Sequence, residues 1–152
     1  MLKVLVADDE QKVCQLIQHL INWEEAGFKI IGFANDGESA LNFMEENPVD
    51  LLITDIRMPG YNGLELISKV KELDDTTQIL IISGHSQFEY AHQAIKLGVS
   101  GYLLKPLKKR ELLSALARVA EEAHTVNQDK VEKEHMKNRI QKDEIRVKRN
   151  LI

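Results

Sequence analysis

The sequence predicts an α/β protein: a five-stranded parallel sheet, doubly wound, with an extended helix at its C-terminal end. Three observations predict it. Short apolar runs alternate with stretches of helical spacing up to about residue 125, the pattern of βα units that place a parallel sheet between helical layers. Three of these runs are almost wholly apolar, as strands covered on both faces are. Four of them end in polar or charged residues, and parallel strands carry such ends to one edge of the sheet.

The elements follow in order. Leu2-Lys3-Val4-Leu5-Val6-Ala7 is the first strand, short and β-branched. Val13, Leu16, Ile17, Leu20 and Ile21 then make the apolar face of a first helix. Phe28 to Phe33 is the second strand. Asn35-Asp36-Gly37 opens a second helix as a cap, Ala40, Leu41 and Met44 form its face, and Asn47-Pro48 stops it. Leu51-Leu52-Ile53-Thr54 is the third strand, followed by a helix with Leu64, Ile67 and Val70 inward. Asn62 with Glu65 has capping-box spacing at its start. Ile79-Leu80-Ile81-Ile82 is the fourth strand. Its helix begins at the Ser86 and Glu89 pair, faces inward at Ala91, Ala94 and Ile95, and stops at Gly98. Gly101-Tyr102-Leu103-Leu104 is the fifth strand. A last helix carries Leu112, Leu116, Val119, Ala123 and Val126 at alternating four- and three-residue spacing, which is a seam.

Bulk properties narrow the class. The 152 residues suit one domain with a real core. A net charge of -4 does not advertise a nucleic-acid surface. The single cysteine, Cys14, excludes an internal disulfide and a cysteine-rich zinc site, and points to a reducing, cytoplasmic setting. No apolar stretch approaches the ~20 residues of a membrane span, and the N-terminus turns acidic too soon for a signal peptide. Cys14 reads as a packing residue and Trp23 as a cover over the end of the first helix. The five histidines are dispersed, His85 and His92 lying seven apart, without metal-ligand spacing.

The strand ends carry the chemistry. The first strand ends in Asp8-Asp9-Glu10, the third in Asp55, the fourth in Ser83-Gly84 and the fifth in Lys105-Pro106. In a sheet of this kind ligands sit outside the carboxyl ends of the strands, at the switch point. Carboxylates gathered there repel one another unless a cation lies among them, and Asp8, Asp9 and Asp55 are hard oxygen donors of the kind that hold Mg²⁺. Lys105 supplies a mobile positive charge and Ser83 a hydroxyl donor. Together they form a site for charge developing on a transferring phosphoryl group, with Asp55 as nucleophile and acyl-phosphate acceptor. Singly, an Asp pair after a strand is often a helix cap and a Lys-Pro or Ser-Gly a turn. Their joint occurrence at four strand ends is what points to a site.

These residues resemble a known family. The segments VADDE, LLITDIRMPGYNGLELI, IISGHS and GYLLKP, in that order and separation, make residues 1 to 124 similar to the receiver domain of two-component response regulators. The resemblance implies a flavodoxin-like fold with strand order 2-1-3-4-5. It implies Asp55 as the phospho-acceptor, Mg²⁺ held by Asp8, Asp9 and Asp55 with the backbone carbonyl of Arg57, and Lys105 on the phosphoryl group. It further implies a cis Lys105-Pro106 peptide, Ser83 as a switch hydroxyl and Tyr102 as its aromatic rotamer partner. The donor would be a phosphohistidine on a sensor histidine kinase, and hydrolysis would reset the switch. The protein would then be a signalling switch, catalysing only its own phosphorylation and dephosphorylation. Ile21-Asn22-Trp23-Glu24 and SGHSQFEYAHQAIKLGVSGYLLKPL look like the YesN-like branch, which usually carries an AraC-type helix-turn-helix output domain. That resemblance implies the N-terminal part of a longer transcription regulator that meets DNA only through its output domain. The alternative is a phosphohydrolase working through an aspartyl phosphate, of the haloacid-dehalogenase type. Those enzymes place the nucleophile after the first strand in a D-x-D pattern, whereas Asp8 and Asp9 are adjacent.

Residues 125–152 are expected to form a helical linker. The seam breaks at Lys130 and Lys133, resumes at Met136 and Ile140, and the segment from Gln128 to Ile152 has no Gly or Pro. A dimeric coiled coil and a solvated linker helix are both open. A homodimer is expected through this helix or through the face made by the fourth helix, fifth strand and fifth helix.

Overall fold

The computed structural model describes residues 1–58, 61, 63–84 and 88–123. Its order is β1 (Leu2–Ala7), α1 (Gln11–Leu20), β2 (Phe28–Ala34), α2 (Gly37–Glu46), β3 (Leu51–Asp55), α3 (Gly63–Leu73), β4 (Gln78–Ser83), α4 (Phe88–Lys96) and β5 (Gly101–Leu104). A helix over residues 109–123, α5, follows. All pairings are parallel and the strand order is β2-β1-β3-β4-β5. The fold class and order expected from sequence are therefore observed. No helix among the described residues is long and apolar enough to cross a membrane.

Period-two alternation splits each strand between two cores. Val4, Val6, Leu51, Ile53, Leu80, Ile82 and Leu103 face one side, where they meet Ile17 of α1 and Leu112, Leu116 and Val119 of α5. Leu5, Ala7, Leu52, Ile79 and Ile81 face the other, against Ala40, Met44, Leu66, Ile67, Val70 and Ala94 of α2, α3 and α4. Burial on both faces explains why β1, β3 and β4 read as unbroken apolar runs. Ile53 is fully buried in the middle strand. Its truncation to Ala is expected to lower unfolding stability by about 3–4 kcal/mol in a urea titration. A loss below ~1 kcal/mol would mean that this core is loosely packed.

Two helix faces differ from the sequence expectation. In α1 the buried residues are Cys14 and Ile17, while Leu16 is 44% exposed. Cys14 thus lies on the packed face itself, and Leu16 is turned off it by the rotation α1 adopts over the sheet. In α4, Ala94 is buried but Ile95 is 60% exposed. The apolar residues Leu112, Leu116, Val119 and Ala123 are buried. The first part of the supposed seam is therefore the core-facing side of α5 and is not free to form a coiled coil. The rest of that seam from Val126, and the caps at Asn62 and Ser86, lie outside the described residues.

Several local signals act as expected. The Asp36 carboxylate accepts the Ser39 N–H at 2.7 Å and caps α2. Gly98 has φ +86° after α4, a left-handed geometry that glycine adopts at little steric cost. Trp23 is buried and its indole N–H donates to the Ile17 carbonyl at 3.0 Å, closing the end of α1. Its ring meets Phe28 edge-on at 6.5 Å.

Candidate functional site

The register of the sheet assembles the site. Ala7 pairs with Thr54, so Asp8 and Asp55 emerge side by side from adjacent strands. Asp55 pairs with Ile82, so Ser83 follows one step on. Ser83 pairs with Leu104, so Lys105 comes next. The order β2-β1-β3 places β1 where the winding reverses, the position at which the carboxyl ends of strands leave a crevice.

Asp8, Asp9 and Asp55 each turn a carboxylate oxygen into one cluster, within 4.8 Å of one another. Asp8 is fully buried and Asp55 is 5% exposed, while Asp9 is exposed. The Lys105 ammonium donates to Asp55 Oδ2 at 2.9 Å. It stands 3.3 Å from Asp8 Oδ2 and 4.0 Å from Glu10 Oε1. The Glu10 N–H donates to Asp8 Oδ1 at 2.9 Å, and the Arg57 N–H reaches Asp55 Oδ1 at 3.3 Å. The contact to Asp8 Oδ2 is one of charge alone: that oxygen is buried and accepts no hydrogen bond among the described residues. The ammonium is directed at Asp55, where both distance and direction are good.

The electrostatics follow from burial and crowding. Desolvation pushes the Asp8 carboxyl up from 3.8 to about 6, the Asp55 charge adding to the rise while the Glu10 N–H and Lys105 oppose it. For Lys105, burial works downward, but the hydrogen bond and charge of Asp55 and the charge of Asp8 outweigh it and hold the ammonium above its ordinary value. Lys105 meets Asp8 and Asp55 but not Asp9 among the described ion pairs, so the three clustered carboxylates keep an excess of negative charge. A hard divalent cation fits this set: its donors are all oxygens, and one buried oxygen lacks a partner that a metal would supply.

The supports of the site are backbone and buried polar groups. Asp8 N–H donates to the Ala34 carbonyl at 3.0 Å, and Lys105 N–H to the Ser83 carbonyl at 2.8 Å. The buried Thr54 hydroxyl donates to the Asp55 carbonyl at 2.9 Å. The Cys14 thiol points at the Asp8 carbonyl at 3.7 Å; burial and then the Asp8 charge push its pKa up, so it is a packing thiol rather than a reactive one. The Lys105-Pro106 peptide is cis.

Ser83 is fully buried. Its hydroxyl donates to the Tyr102 hydroxyl at 2.6 Å, which ties two residues singled out by sequence directly to each other. Beside them a groove of about 590 Å³ runs between β5 and the first turns of α5, lined by Tyr102, Leu104, Lys105, Lys108, Arg110 and Arg118 among others. All the sequence-predicted site residues thus lie at one edge. Two neighbours were not singled out. Glu10 faces Lys105, and its only signal was its place after Asp8-Asp9. Gly37, read as part of a helix cap, is packed against Tyr61 in the loop after β3.

A sequence model of the response regulator receiver domain matches residues 4–117. The uncharacterized transcriptional regulatory protein YesN of Bacillus subtilis is 37% identical over 140 residues, covering 92% of this chain and 38% of YesN. The REC domain of AraT, a response regulator from Geobacillus stearothermophilus, superposes with a TM-score of 0.77 at 35% identity, over 85% of this chain and 98% of that one. A chain of the CheX-CheY-BeF3-Mg²⁺ complex from Borrelia burgdorferi superposes with a TM-score of 0.70 at 25% identity, over 78% of this chain and 88% of that one. The chain spans about half or less of the length of the curated relatives it matches.

Proposed function

The chain belongs to the response regulator receiver domain family of two-component systems, and from that premise we propose that Asp55 is its phospho-acceptor and that phosphorylation switches a transcriptional output. The observation that carries this reading is the cluster itself: Asp55 ends a buried strand, bound by Lys105 at 2.9 Å and gathered with Asp8 and Asp9. The binding of BeF3 and Mg²⁺ in the Borrelia relative's complex supports it. Residues 1–124 are the proposed receiver and 125–152 a linker toward an output domain of the kind that gives YesN its description as a transcriptional regulator. DNA contact is assigned to that output domain, and the proposed compartment is the cytoplasm.

Mg²⁺ held by Asp8, Asp9 and Asp55 with the Arg57 carbonyl would neutralise charge on the transferring phosphoryl oxygens. An Asp55 carboxylate oxygen attacks phosphorus, the P–N bond of the donor phosphohistidine breaks, and the imidazole leaves with its electron pair. Lys105 then loses one carboxylate partner and follows the phosphoryl oxygens, which accept its N–H in place of Asp55. The protein turns over no separate substrate. A phosphohydrolase with its nucleophile after β1 finds no support, since Asp8 and Asp9 are adjacent and make no D-x-D pattern.

Output begins at Ser83. Its hydroxyl reaches a phosphoryl oxygen only by leaving Tyr102, and Tyr102 repacks as it does so. The face made by α4, β5 and α5 changes with it. The three elements of that face carry exposed Ile95, Leu104 and Leu113, apolar residues suited to a homodimer contact.

Tyr102→Phe is expected to tighten beryllofluoride binding by up to about tenfold, since Ser83 no longer has a hydrogen bond to give up. Weaker binding in a fluoride titration would show that Tyr102 does not compete for Ser83. The reading as a whole is tested by incubating the chain with acetyl phosphate. Intact mass should rise by one phosphoryl group with Mg²⁺ and remain unchanged with EDTA. An absent or metal-independent adduct would defeat it.

A further inference from the structure

Gly37 is buried at the first position of α2. A methyl group on it would lie 2.7 Å from the Tyr61 carbonyl oxygen and 2.7 Å from the Tyr61 Cβ, far inside contact distance. Among the described glycines only Gly27 and Gly98 have positive φ. Gly37 is therefore not needed for an unusual backbone conformation. It is needed for close approach, here of one backbone to another.

The two partners are not equally free to move. The start of α2 is held by the Asp36 cap at 2.7 Å and the Ala40 N–H on the Asp36 carbonyl at 3.1 Å. It is held further by Ala40 and Met44 in the core, and β2 before it is tied to the Asp8 N–H through Ala34. Tyr61 lies four residues beyond Arg57. Its ring sits under the Lys69 ammonium at 4.8 Å, and Arg57 meets Asp55 through a long hydrogen bond of 3.3 Å. Tyr61 is only half-buried and is the side that yields to an added Cβ.

We propose that Gly37 is a positioning residue for phosphorylation: it lets Tyr61 seat against α2, and so sets where Arg57, four residues earlier, stands relative to Asp55. The proposal rests on the receiver reading above. Arg57 bears on the site twice, through its N–H on Asp55 Oδ1 and through the carbonyl assigned to the metal. A displaced Tyr61 is expected to move both. Misplacement on the ångström scale is enough to slow a positioned reaction by about a hundredfold.

The test compares the full chain with Gly37→Ala and with Gly32→Ala. The second variant also adds a Cβ at a crowded glycine, but there the nearest atoms are the Phe43 ring at 2.8 Å, away from the site. Melting temperature, Mg²⁺ dissociation constant, the metal-free Arg57 amide shift and the rate with acetyl phosphate are measured for each. Gly37→Ala is expected to shift the Arg57 amide without metal, to weaken Mg²⁺ by about tenfold and to slow phosphorylation by about ten- to a hundredfold. Gly32→Ala should keep wild-type Mg²⁺ affinity whatever its loss of stability. Wild-type affinity and rate in Gly37→Ala would overturn the proposal, as would equal losses in Gly32→Ala. If Gly37→Ala does not fold, Tyr61→Gly removes the seat from the other side and is expected to weaken Mg²⁺ likewise; unchanged affinity there overturns the proposal too. A wild-type chain that takes up no phosphoryl group refutes the receiver reading, and the proposal falls with it for that separate reason.

Discussion

Replacing Asp55 with Asn is expected to abolish phosphoryl uptake from acetyl phosphate and Mg²⁺, by at least about a thousandfold, the scale seen when a nucleophile is removed. The amide is nearly isosteric. Its oxygen still accepts from Lys105 or from the Arg57 N–H, the two groups that hold the carboxylate now. What it lacks is the negative charge and the lone pair that attack phosphorus. The other carboxylates are poor substitutes. Asp8 is fully buried and its Oδ1 is engaged by the Glu10 N–H; Asp9 is exposed and carries no Lys105 contact among the described ion pairs. The variant removes one of three crowded charges, so its fold should remain intact by circular dichroism and melting. Loss of labelling then reports chemistry and not unfolding. Full labelling of the Asn variant, or a wild-type adduct mapped to Asp9, would remove Asp55 from the proposed role.

The second large effect concerns Asp8. With its carboxyl pushed from 3.8 to about 6 in the folded protein, the folded state binds its proton more tightly than the unfolded chain. Below pH 3.8 the group is protonated in both states and contributes nothing. Between 3.8 and about 6 the folded state holds more protons, so stability falls as pH rises. Above about pH 6 the full penalty is present, on the order of 2–3 kcal/mol. Asp8→Asn is therefore expected to raise the metal-free melting temperature at pH 7 by about 10 °C. It should also flatten the decline of stability between pH 4 and 7. The same variant should lose the stabilisation that Mg²⁺ confers on the wild type, because the fully buried ligand is gone. A variant less stable than wild type at pH 7 would mean that Asp8 is held for its structural hydrogen bond and not strained by its charge. The penalty is what a binding site retains for the sake of its ligand.

How much of this was legible in the sequence varies by element. The apolar runs at Leu51 and Ile79 and the polar residues at their ends could be read directly. Alternation and run length are local properties of the chain, and they are enough to imply parallel strands and a common functional edge. The Asp36 cap, the Gly98 stop and the Trp23 cover were legible for the same reason: each acts within a few residues. The rotation of α1 was not. Leu16 and Cys14 are both compatible with an apolar stripe, and only the angle at which α1 meets the sheet buries Cys14 and leaves Leu16 exposed. The seam in α5 was visible as a period, but a period does not say whether the sheet or a second helix will cover it.

Within the site, the sequence by itself determined which chemical groups arrive at the edge, since the register of a parallel sheet follows from where each strand ends. It marked Asp8, Asp9, Asp55, Ser83 and Lys105 as one set, to which the family resemblance added Tyr102. Only the tertiary structure decided how they face one another. It directs Lys105 to Asp55 at 2.9 Å, leaves Asp8 Oδ2 without a hydrogen bond, and joins Ser83 to Tyr102. It also brings Gly37 against Tyr61. The reason is physical: pattern along the chain reports each residue's own preference for burial, whereas a contact depends on the packing of two segments distant in sequence, whose fit is set to tenths of an ångström by everything between them.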